Sequence, residues 1–130
     1  MAQGNLIRDE AFDSALRIMK LAKRLRMKKE FELSSQLWRA GTSIGANVEE
    51  AQAAQSRADF HSKMTIASKE AREALYWLRL VEKGEILAAK DLDEAQTQCE
   101  SMVRILTSIV KTSRTAPAES KIKHPASKIL

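Results

Sequence analysis

The sequence predicts an all-α protein, an antiparallel up-and-down four-helix bundle followed by a short basic C-terminal tail. Its composition favours helix, because alanine, leucine, lysine, glutamate and arginine are abundant while glycine (4) and proline (2) are scarce. Both prolines, Pro117 and Pro125, lie near the C-terminus, so the rest of the chain is free of this helix breaker. Before them, apolar residues recur at three- and four-residue steps in four segments, which is the spacing of amphipathic helices.

The first segment predicts a helix from about Arg8 to Met27. Its apolar residues follow the i, i+3, i+4 spacing of one helix face. This stripe consists of Phe12, Ala15, Leu16, Met19 and Ala22, and it is widened by Ile18, Leu21 and Leu25. A stripe of this width indicates packing against more than one neighbouring helix.

The second segment predicts a helix from about Glu30 to Ala54 that contains two glycines. Its apolar face is formed by Leu33, Leu37, Ala40, Ile44, Val48 and Ala51. Gly41 and Gly45 each cost about 1 kcal/mol relative to alanine in a helix interior. They either let another helix approach closely or mark a bend in this one.

The third segment has the clearest helix start, because Ser56 and Asp59 form the S-x-x-D pattern of an N-terminal cap. We expect this helix to end near Lys83, with Gly84 in the left-handed cap position. Between these ends the apolar residues alternate three- and four-residue steps, and they are Phe60, Met64, Ala67, Ala71, Ala74, Leu78 and Val81.

The fourth segment predicts a helix that opens with a second capping pair, Asp91 and Glu94, and ends at about Ser113. The same apolar repeat continues in Leu92, Ala95, Cys99, Met102, Leu106 and Ile109. Short connections make successive helices antiparallel neighbours. We therefore expect one bundle domain over residues 1–113 and a flexible or partly ordered basic tail over residues 114–130.

The sequence offers no recognisable catalytic, cofactor or metal site. A single cysteine, Cys99, excludes an internal disulfide and a cysteine-based zinc site. His61 and His124 are far apart in the chain and lack ligand partners at helical spacing, and no phosphate-binding glycine loop occurs. We therefore expect a protein that is not an enzyme and needs no cofactor.

The location of the protein is also constrained by the sequence. The N-terminal residues Met1 to Asp9 are polar and lack the apolar core of a signal peptide. No apolar run approaches the roughly 20 residues that a membrane-spanning helix needs. We expect a cytoplasmic protein with no membrane partner.

Positive charge is concentrated in two places, although the net charge is only +5. The end of the first helix carries a run of cations with no acid among them: Lys20, Lys23, Arg24, Arg26, Lys28 and Lys29. The tail adds further lysines, among them Lys121 and Lys123. Such clusters attract polyanions such as RNA or DNA, and the alternative is that they only keep the protein soluble.

A polar stripe on the second helix is the most informative feature of the sequence. Its residues follow steps of three and four and therefore share one helix face: Gln36, Arg39, Ser43, Asn47 and Glu50. The stripe is either a solvated surface or a packed network in which each buried polar group needs a hydrogen-bond partner. Trp38 and the small residues around the stripe favour close packing.

The third helix carries charges and two aromatic residues outside its apolar seam. The charges are Lys69, Glu70, Arg72, Glu73 and Arg79. We expect a solvated face, on which Glu70 and Glu73 can pair with Lys69, Arg72 or residues one turn away on the same helix. Tyr76 and Trp77 are more typical of packing, although beside basic residues such rings also stack on nucleobases.

Two motifs resemble those of a bacterial family of four-helix-bundle proteins encoded in intervening sequences of large-subunit (23S) ribosomal RNA genes. The segment LSSQLWRAGTSIGANVEEA, residues 33–51, carries a Gln-Leu-x-Arg-Ala, Ser-Ile and Asn-x-x-Glu pattern at Gln36, Leu37, Arg39, Ala40, Ser43, Ile44, Asn47 and Glu50. The segment SKEAREALYWLRL, residues 68–80, is similar to a Glu-x-x-Tyr-Trp-Leu motif at Glu73, Tyr76, Trp77 and Leu78. The chain departs from the pattern at Gly45 and Ala51, where many members have proline and glycine.

This resemblance covers residues 12 to about 110 and implies a four-helix bundle assembled into a ring-like homopentamer. The chain is also similar, more distantly, to the accessory proteins of diversity-generating retroelements, which are basic pentameric bundles that bind nucleic acid. The resemblance favours the network interpretation of the polar stripe.

Two different functions fit these features of the sequence. The first is a homo-oligomer that binds RNA or DNA through its basic clusters. The second is an adaptor that docks another protein through the polar stripe together with Trp38, Tyr76 and Trp77.

Overall fold

The structure, a computed structural model, describes the backbone of residues 2–123 and the side chains of residues 6–114. It consists of four helices, α1 (Ala2–Met27), α2 (Phe31–Gln52), α3 (Arg57–Lys83) and α4 (Ala89–Lys123), and residues 2–123 contain no strand. Each helix packs against its neighbours in the chain, and α1 also packs against α4. The predicted all-α four-helix bundle is confirmed.

The outer ends of the first and last helices differ from the prediction. α1 begins at Ala2, before the expected Arg8, and α4 continues through Pro117 to Lys123, beyond the expected end at Ser113. Residues 114–123 contain two alanines, two lysines, an arginine and a glutamate, and all of these residue types favour helix. Residues 124–130 lie outside the described residues, so the division into residues 1–113 and 114–130 stays a prediction.

The four helices share one core. Its largest completely buried side chains include Ile7, Ile18, Leu25, Leu37, Ile44, Met64, Leu78, Leu92, Met102 and Leu106. Each such burial contributes roughly 1.5–3 kcal/mol to the hydrophobic stabilisation. Within the described helices, no Cα atom of α1 lies within 8 Å of one in α3, and the same holds for α2 and α4. These pairs therefore lie on the diagonals of the bundle.

The apolar stripe predicted for α1 is wrong in part. Phe12 is 68% exposed and Leu16 is also exposed. The core is contacted instead by a line about one-third of a turn away, formed by Ile7, Ala11, Ser14, Ile18, Ala22 and Leu25. Apolar residues surround more than half of α1, so spacing alone fits two faces, and only packing against α2 and α4 selects between them.

The capping prediction is confirmed for α3 and wrong for α4. The Ser56 hydroxyl accepts a hydrogen bond of 3.0 Å from the Asp59 backbone N–H. α4 begins at Ala89, which places Asp91 inside the first turn rather than at the cap. An acid in the first turn still stabilises a helix through the macrodipole, and the Asp91 carboxylate also pairs with Arg24 of α1.

The end of α3 is where it was predicted, but the left-handed residue is a different one. Gly84 has a φ of −80°, and Glu85 adopts the left-handed conformation with a φ of 59°. The Ile86 N–H closes the turn by donating to the Val81 carbonyl oxygen at 2.9 Å. Glycine is still required at position 84, because a Cβ there would lie 2.8 Å from the Leu80 carbonyl oxygen.

The two glycines of α2 face α1 and permit close approach. α2 is one continuous helix across both. A Cβ on Gly41 would lie 2.5 Å from Ile18 Cγ2, which is too close for unstrained packing. A Cβ on Gly45 would lie 3.6 Å from the Ala11 Cβ, an ordinary contact distance. Gly41, more than Gly45, is therefore the residue that lets α1 and α2 approach closely.

Candidate nucleic-acid interface

A groove between α1 and α2 brings together cations and an aromatic ring that are distant in the sequence. It has a volume of about 450 Å³ and is lined by Lys23, Arg26, Ser34, Ser35, Trp38 and Arg39. Trp38 is 38% exposed there. Its indole therefore presents ring surface to solvent beside two cations of α1.

Two contacts hold the walls of this groove together. The Ser34 hydroxyl donates a hydrogen bond of 2.7 Å to the Ala22 carbonyl oxygen, which joins α2 to α1. Further along α2, the missing side chain of Gly41 lets Ile18 pack directly on the α2 backbone. Trp38 lies between these two contacts in the sequence, so its turn of helix is fixed against α1 while its ring stays at the surface.

The cations predicted as a cluster are all exposed: Lys20, Lys23, Arg24, Arg26, Lys28 and Lys29. Arg24 pairs with Asp91, with 3.2 Å between Nη2 and Oδ2. The others have no acid within ion-pair distance among the side chains that the structure describes. The exposed surface of α1 therefore carries unpaired positive charge, which attracts polyanions. Lys121 and Lys123 lie outside the described side chains.

Arg39 is the centre of the contacts between the polar stripe and α3. Its Nη1 donates to both carboxylate oxygens of Glu70, at 3.2 and 3.4 Å, and its Nη2 donates to Glu73. The Trp77 indole N–H donates to the same Glu73 carboxylate at 3.1 Å. The expectation that Glu70 and Glu73 pair within α3 is therefore wrong, since both bind the guanidinium of α2.

These hydrogen bonds favour the ionised form of Glu73. The bond from Arg39, followed by that from Trp77, holds the pKa of Glu73 below its ordinary value, and partial burial acts in the opposite direction. The same contacts, with Glu73 first, raise the pKa of Arg39. Because two carboxylates share one guanidinium, this cluster keeps one negative charge in excess.

The rest of the polar stripe follows the boundary between α2 and α3. Ser43 and Asn47 are half-buried, and the Asn47 side-chain amide donates to the Ser43 carbonyl oxygen at 2.9 Å. Glu50 is exposed and pairs with Lys63 of α3 at 2.8 Å. Gln36 is exposed and has no side-chain hydrogen bond within the described part of the chain. Bridges at Arg39 and Glu50 thus join the two helices.

Tyr76 and Trp77 are sequence neighbours that differ in burial. Trp77 packs against the core, whereas Tyr76 is 55% exposed. Their rings meet edge to face, with centroids 5.2 Å apart and an interplanar angle of 67°. Neither lines the groove of Lys23 and Arg26. Trp38 alone of the three predicted aromatic residues lies in that groove, a placement that depends on the register between α1 and α2.

The structure also bears on metal binding and on nucleophilic chemistry. Within the described side chains, no group of three or more His, Cys, Asp or Glu residues is placed to hold a metal ion. Burial raises the pKa of the Cys99 thiol to about 12, which keeps it protonated at neutral pH. Among the described residues, no helix has the length and apolarity to cross a membrane.

Comparisons with known proteins identify the family. No curated protein matches the sequence. The fold resembles a crystal structure of a protein of unknown function from the S23 ribosomal protein family of Bacteroides thetaiotaomicron, with 42% identity and a TM-score of 0.79. That alignment covers 84% of this chain and 98% of the other. The family model described as the 23S rRNA-intervening sequence protein matches residues 4–108, and this chain therefore belongs to that family.

Proposed function

We propose that this chain is a non-enzymatic cytoplasmic homo-oligomer, a pentamer as the family resemblance implies, that binds RNA through the basic surface of α1. The proposal rests on the groove in which Lys23 and Arg26 lie beside the exposed ring of Trp38. Cations neutralise phosphates, and an aromatic ring stacks on any unpaired base. This combination fits single-stranded nucleic acid better than a duplex, whose bases are already stacked.

The distribution of charge supports a sequence-tolerant mode of binding. The cluster from Lys20 to Lys29 is exposed, and most of its members have no acidic partner among the described side chains. Phosphate contacts of this kind carry no sequence information and weaken steeply with salt. Oligomerisation repeats the cluster in each subunit, so one RNA strand that contacts several copies binds more tightly than a single copy would allow.

Exposed apolar side chains support the proposal that copies of this chain associate with one another. Phe12 and Tyr76 are each more than half exposed, and Met27 is almost fully exposed. Large apolar side chains that gather on the surface of a small soluble domain mark sites of association.

RNA binding is tested by fluorescence anisotropy with labelled single-stranded RNA at several salt concentrations. We expect Arg26→Ala to lower the affinity and to reduce the slope of log K against log salt by about 0.7, the effect of one lost phosphate contact on a single strand. Trp38→Ala should lower the affinity about fivefold or more, as expected for one lost stacking contact. Trp38→Phe, which keeps a ring, should restore most of that loss.

The matched control is Arg104→Ala, which removes an exposed cation of α4 outside the groove. We expect its affinity and salt slope to equal those of the wild type. Absence of RNA binding by the wild type at low salt would refute the proposal, and so would equal losses for Arg26→Ala and Arg104→Ala.

A second candidate function is docking of another protein at the boundary of α2 and α3. The exposed ring of Tyr76 beside the Arg39, Glu70 and Glu73 cluster favours it. Affinity capture with and without nuclease discriminates between the two functions. A partner protein that remains after nuclease treatment and is lost in Tyr76→Ala supports docking, and a partner that leaves with the RNA supports the first function.

A further inference from the structure

We infer that the groove of Trp38 is a site for one nucleotide whose phosphate is a monoester, either a free nucleoside monophosphate or the phosphorylated end of an RNA strand. The base stacks on Trp38, and Lys23 and Arg26 bind the phosphate. The inference deepens the proposed function, because it rests on the same groove and names the part of an RNA that the groove takes.

The register of α1 against α2 places Trp38 and Arg26 at opposite ends of the groove. The hydrogen bond from Ser34 to the Ala22 carbonyl oxygen sets these two residues at one height. The two helices are antiparallel, so increasing residue number leads away from that height in opposite directions. At about 1.5 Å per residue, Trp38 lies about 6 Å from it on one side, and Arg26 lies about 6 Å from it on the other.

Side-chain direction makes these two ends converge. The Cα–Cβ bonds of a helix tilt toward its N-terminus. Because α1 and α2 are antiparallel, this tilt directs the Arg26 side chain and the Trp38 ring toward the height of Ser34 from opposite ends. The structure agrees, since both residues line a single groove together with Lys23, Ser34 and Ser35.

The residues one turn before and one turn after Trp38 on α2 leave its ring uncovered. Ser34 and Ser35 precede it, and Gly41 and Thr42 follow it. The Thr42 hydroxyl donates to the Trp38 carbonyl oxygen at 2.8 Å and is thus held at the helix backbone. None of these four residues is large enough to cover the indole, and Trp38 is exposed. A nucleobase can stack on a ring of this kind.

The two ends of the groove differ in charge, and this difference sets the direction of the nucleotide. Lys23 and Arg26 are exposed and have no acid within ion-pair distance among the described side chains. Arg39 also lines the groove, but its guanidinium is bound by two carboxylates of α3. Unpaired positive charge therefore lies at the Arg26 end, which takes the phosphate and leaves the base to Trp38.

The number of unpaired cations indicates which kind of phosphate fits. Lys23 and Arg26 are three residues apart on α1, so their Cβ atoms are about 5–6 Å apart and both long side chains can reach one phosphate. A phosphate monoester carries a charge of about −1.5 to −2 at neutral pH, whereas a phosphodiester inside a strand carries a single negative charge. Two cations match the monoester better. The groove therefore favours a terminal nucleotide over an internal one.

The middle of the groove suits the sugar of a single nucleotide. Ser35 is exposed there, and its hydroxyl can donate a hydrogen bond to a ribose hydroxyl or accept one from it. The volume of about 450 Å³ lies in the lower part of the range of small-molecule sites, which is roughly 300–1,000 Å³. Ser34 fixes the floor by its bond to α1, so the groove is formed before a ligand arrives.

Titration of the isotope-labelled wild type with adenosine 5′-monophosphate (AMP) tests the site by NMR. The chain has two tryptophans, and Trp77 serves as the internal reference because its indole N–H is bonded to Glu73 outside the groove. We expect the indole N–H signal of Trp38 to shift in a saturable way while that of Trp77 stays in place. Adenosine, which has no phosphate for the two cations, should bind about fivefold more weakly or worse.

Arg26→Ala should weaken AMP binding about twofold to fivefold, as expected for one lost ion pair at an exposed site. The matched control is Arg104→Ala, which removes an exposed cation of α4 outside the groove and should bind AMP like the wild type. A loss of the same size in both variants would contradict the assignment of the phosphate to Arg26.

The source of the nucleotide is identified with internally labelled RNA strands of one sequence, phosphorylated at the 5′ end, at the 3′ end or at neither. If the site takes RNA ends, a phosphorylated strand should bind about twofold to fivefold more tightly than the unphosphorylated one, and Arg26→Ala should remove this difference. Equal affinities for all three strands, together with AMP binding, would assign the site to a free nucleotide.

The inference and the proposed function fail in different ways. A Trp38 signal that does not respond to AMP overturns the inference, and RNA binding by the same protein would leave the proposed function intact. AMP binding by a protein that binds no RNA at low salt would refute the proposed RNA binding and support the nucleotide site.

Discussion

The two sides of α2 are built on different principles. The side that faces α1 is close-packed: Gly41 receives Ile18, and the hydroxyl of Ser34 bonds directly to the α1 backbone. The side that faces α3 is bridged by charged side chains, above all Arg39 and Glu50. α2 therefore packs closely on α1 where Gly41 lacks a side chain, and it contacts α3 through long, partly exposed charged side chains.

The difference shows how a single family motif serves two purposes. Residues 33–51 place small and polar residues in alternation along one helix. Helical periodicity turns Ser34 and Gly41 toward α1, on either side of Trp38 in the sequence. It turns Arg39 and Glu50 toward α3. The close-packed side is therefore expected to respond to volume, and the bridged side to charge and pH.

The largest effect is expected for Gly41→Ala. The added methyl group would lie 2.5 Å from Ile18 Cγ2, and a β-branched side chain in a helix has little rotameric freedom to move away. Overpacking costs about 1–3 kcal/mol, and better helix propensity returns up to about 1 kcal/mol. We expect a net loss of about 1–2 kcal/mol in urea unfolding. Combining it with Ile18→Ala should cost less than the two separate losses together, and simple additivity would contradict the contact.

On the bridged side, Arg39→Met should cost about 1 kcal/mol or less. The methionine keeps most of the aliphatic stem but leaves Glu70 and Glu73 without their shared cation. Exposed ion pairs contribute little, but two carboxylates held near each other add repulsion. The matched control is Arg24→Met, which removes one exposed pair with Asp91. Equal losses for the two variants, measured by thermal unfolding, would show that the Arg39 bridge has no special weight.

Gly45→Ala should stabilise the protein by up to about 1 kcal/mol. The new methyl group would make an ordinary contact of 3.6 Å with Ala11, so the gain in helix propensity is not offset by strain. The measurement is the same urea titration as for Gly41→Ala, with each glycine variant as the control for the other. A loss of stability here would mean that α1 and α2 approach more closely at Gly45 than the structure indicates.

Much of the fold was accessible from the sequence, because it depends on local patterns. The four apolar repeats, the Ser56 cap and the end of α3 required only residues a few positions apart. The inner face of α1 was not accessible, since Phe12 and Ile18 fit helical spacing equally well. Whether a subunit contact covers Phe12 depends on neighbours outside the chain.

The candidate site was less accessible, because it forms between helices. The basic cluster and Trp38 were each identified in the sequence, but their meeting in one groove depends on the register of α1 against α2. The ion-pair partners predicted for Glu70 and Glu73 were wrong because these pairs, too, depend on how two helices pack. Spacing within α3 offers cations one turn away, whereas Arg39 reaches across from α2 and binds both carboxylates at once.

The smallest effect concerns pH, and it separates the bridged side of α2 from the close-packed one. The pKa of Glu73 is lowered, first by the bond from Arg39, so its contribution to stability is present above its ordinary pKa of 4.5 and is lost as the pH falls through the lowered value. The difference in Tm between wild type and Glu73→Gln should therefore be full at neutral pH and vanish in acid. Glu100→Gln, whose contact with Arg79 spans 3.9 Å, should change Tm little at any pH. A constant difference between wild type and Glu73→Gln down to low pH would show that Glu73 acts through packing rather than through charge.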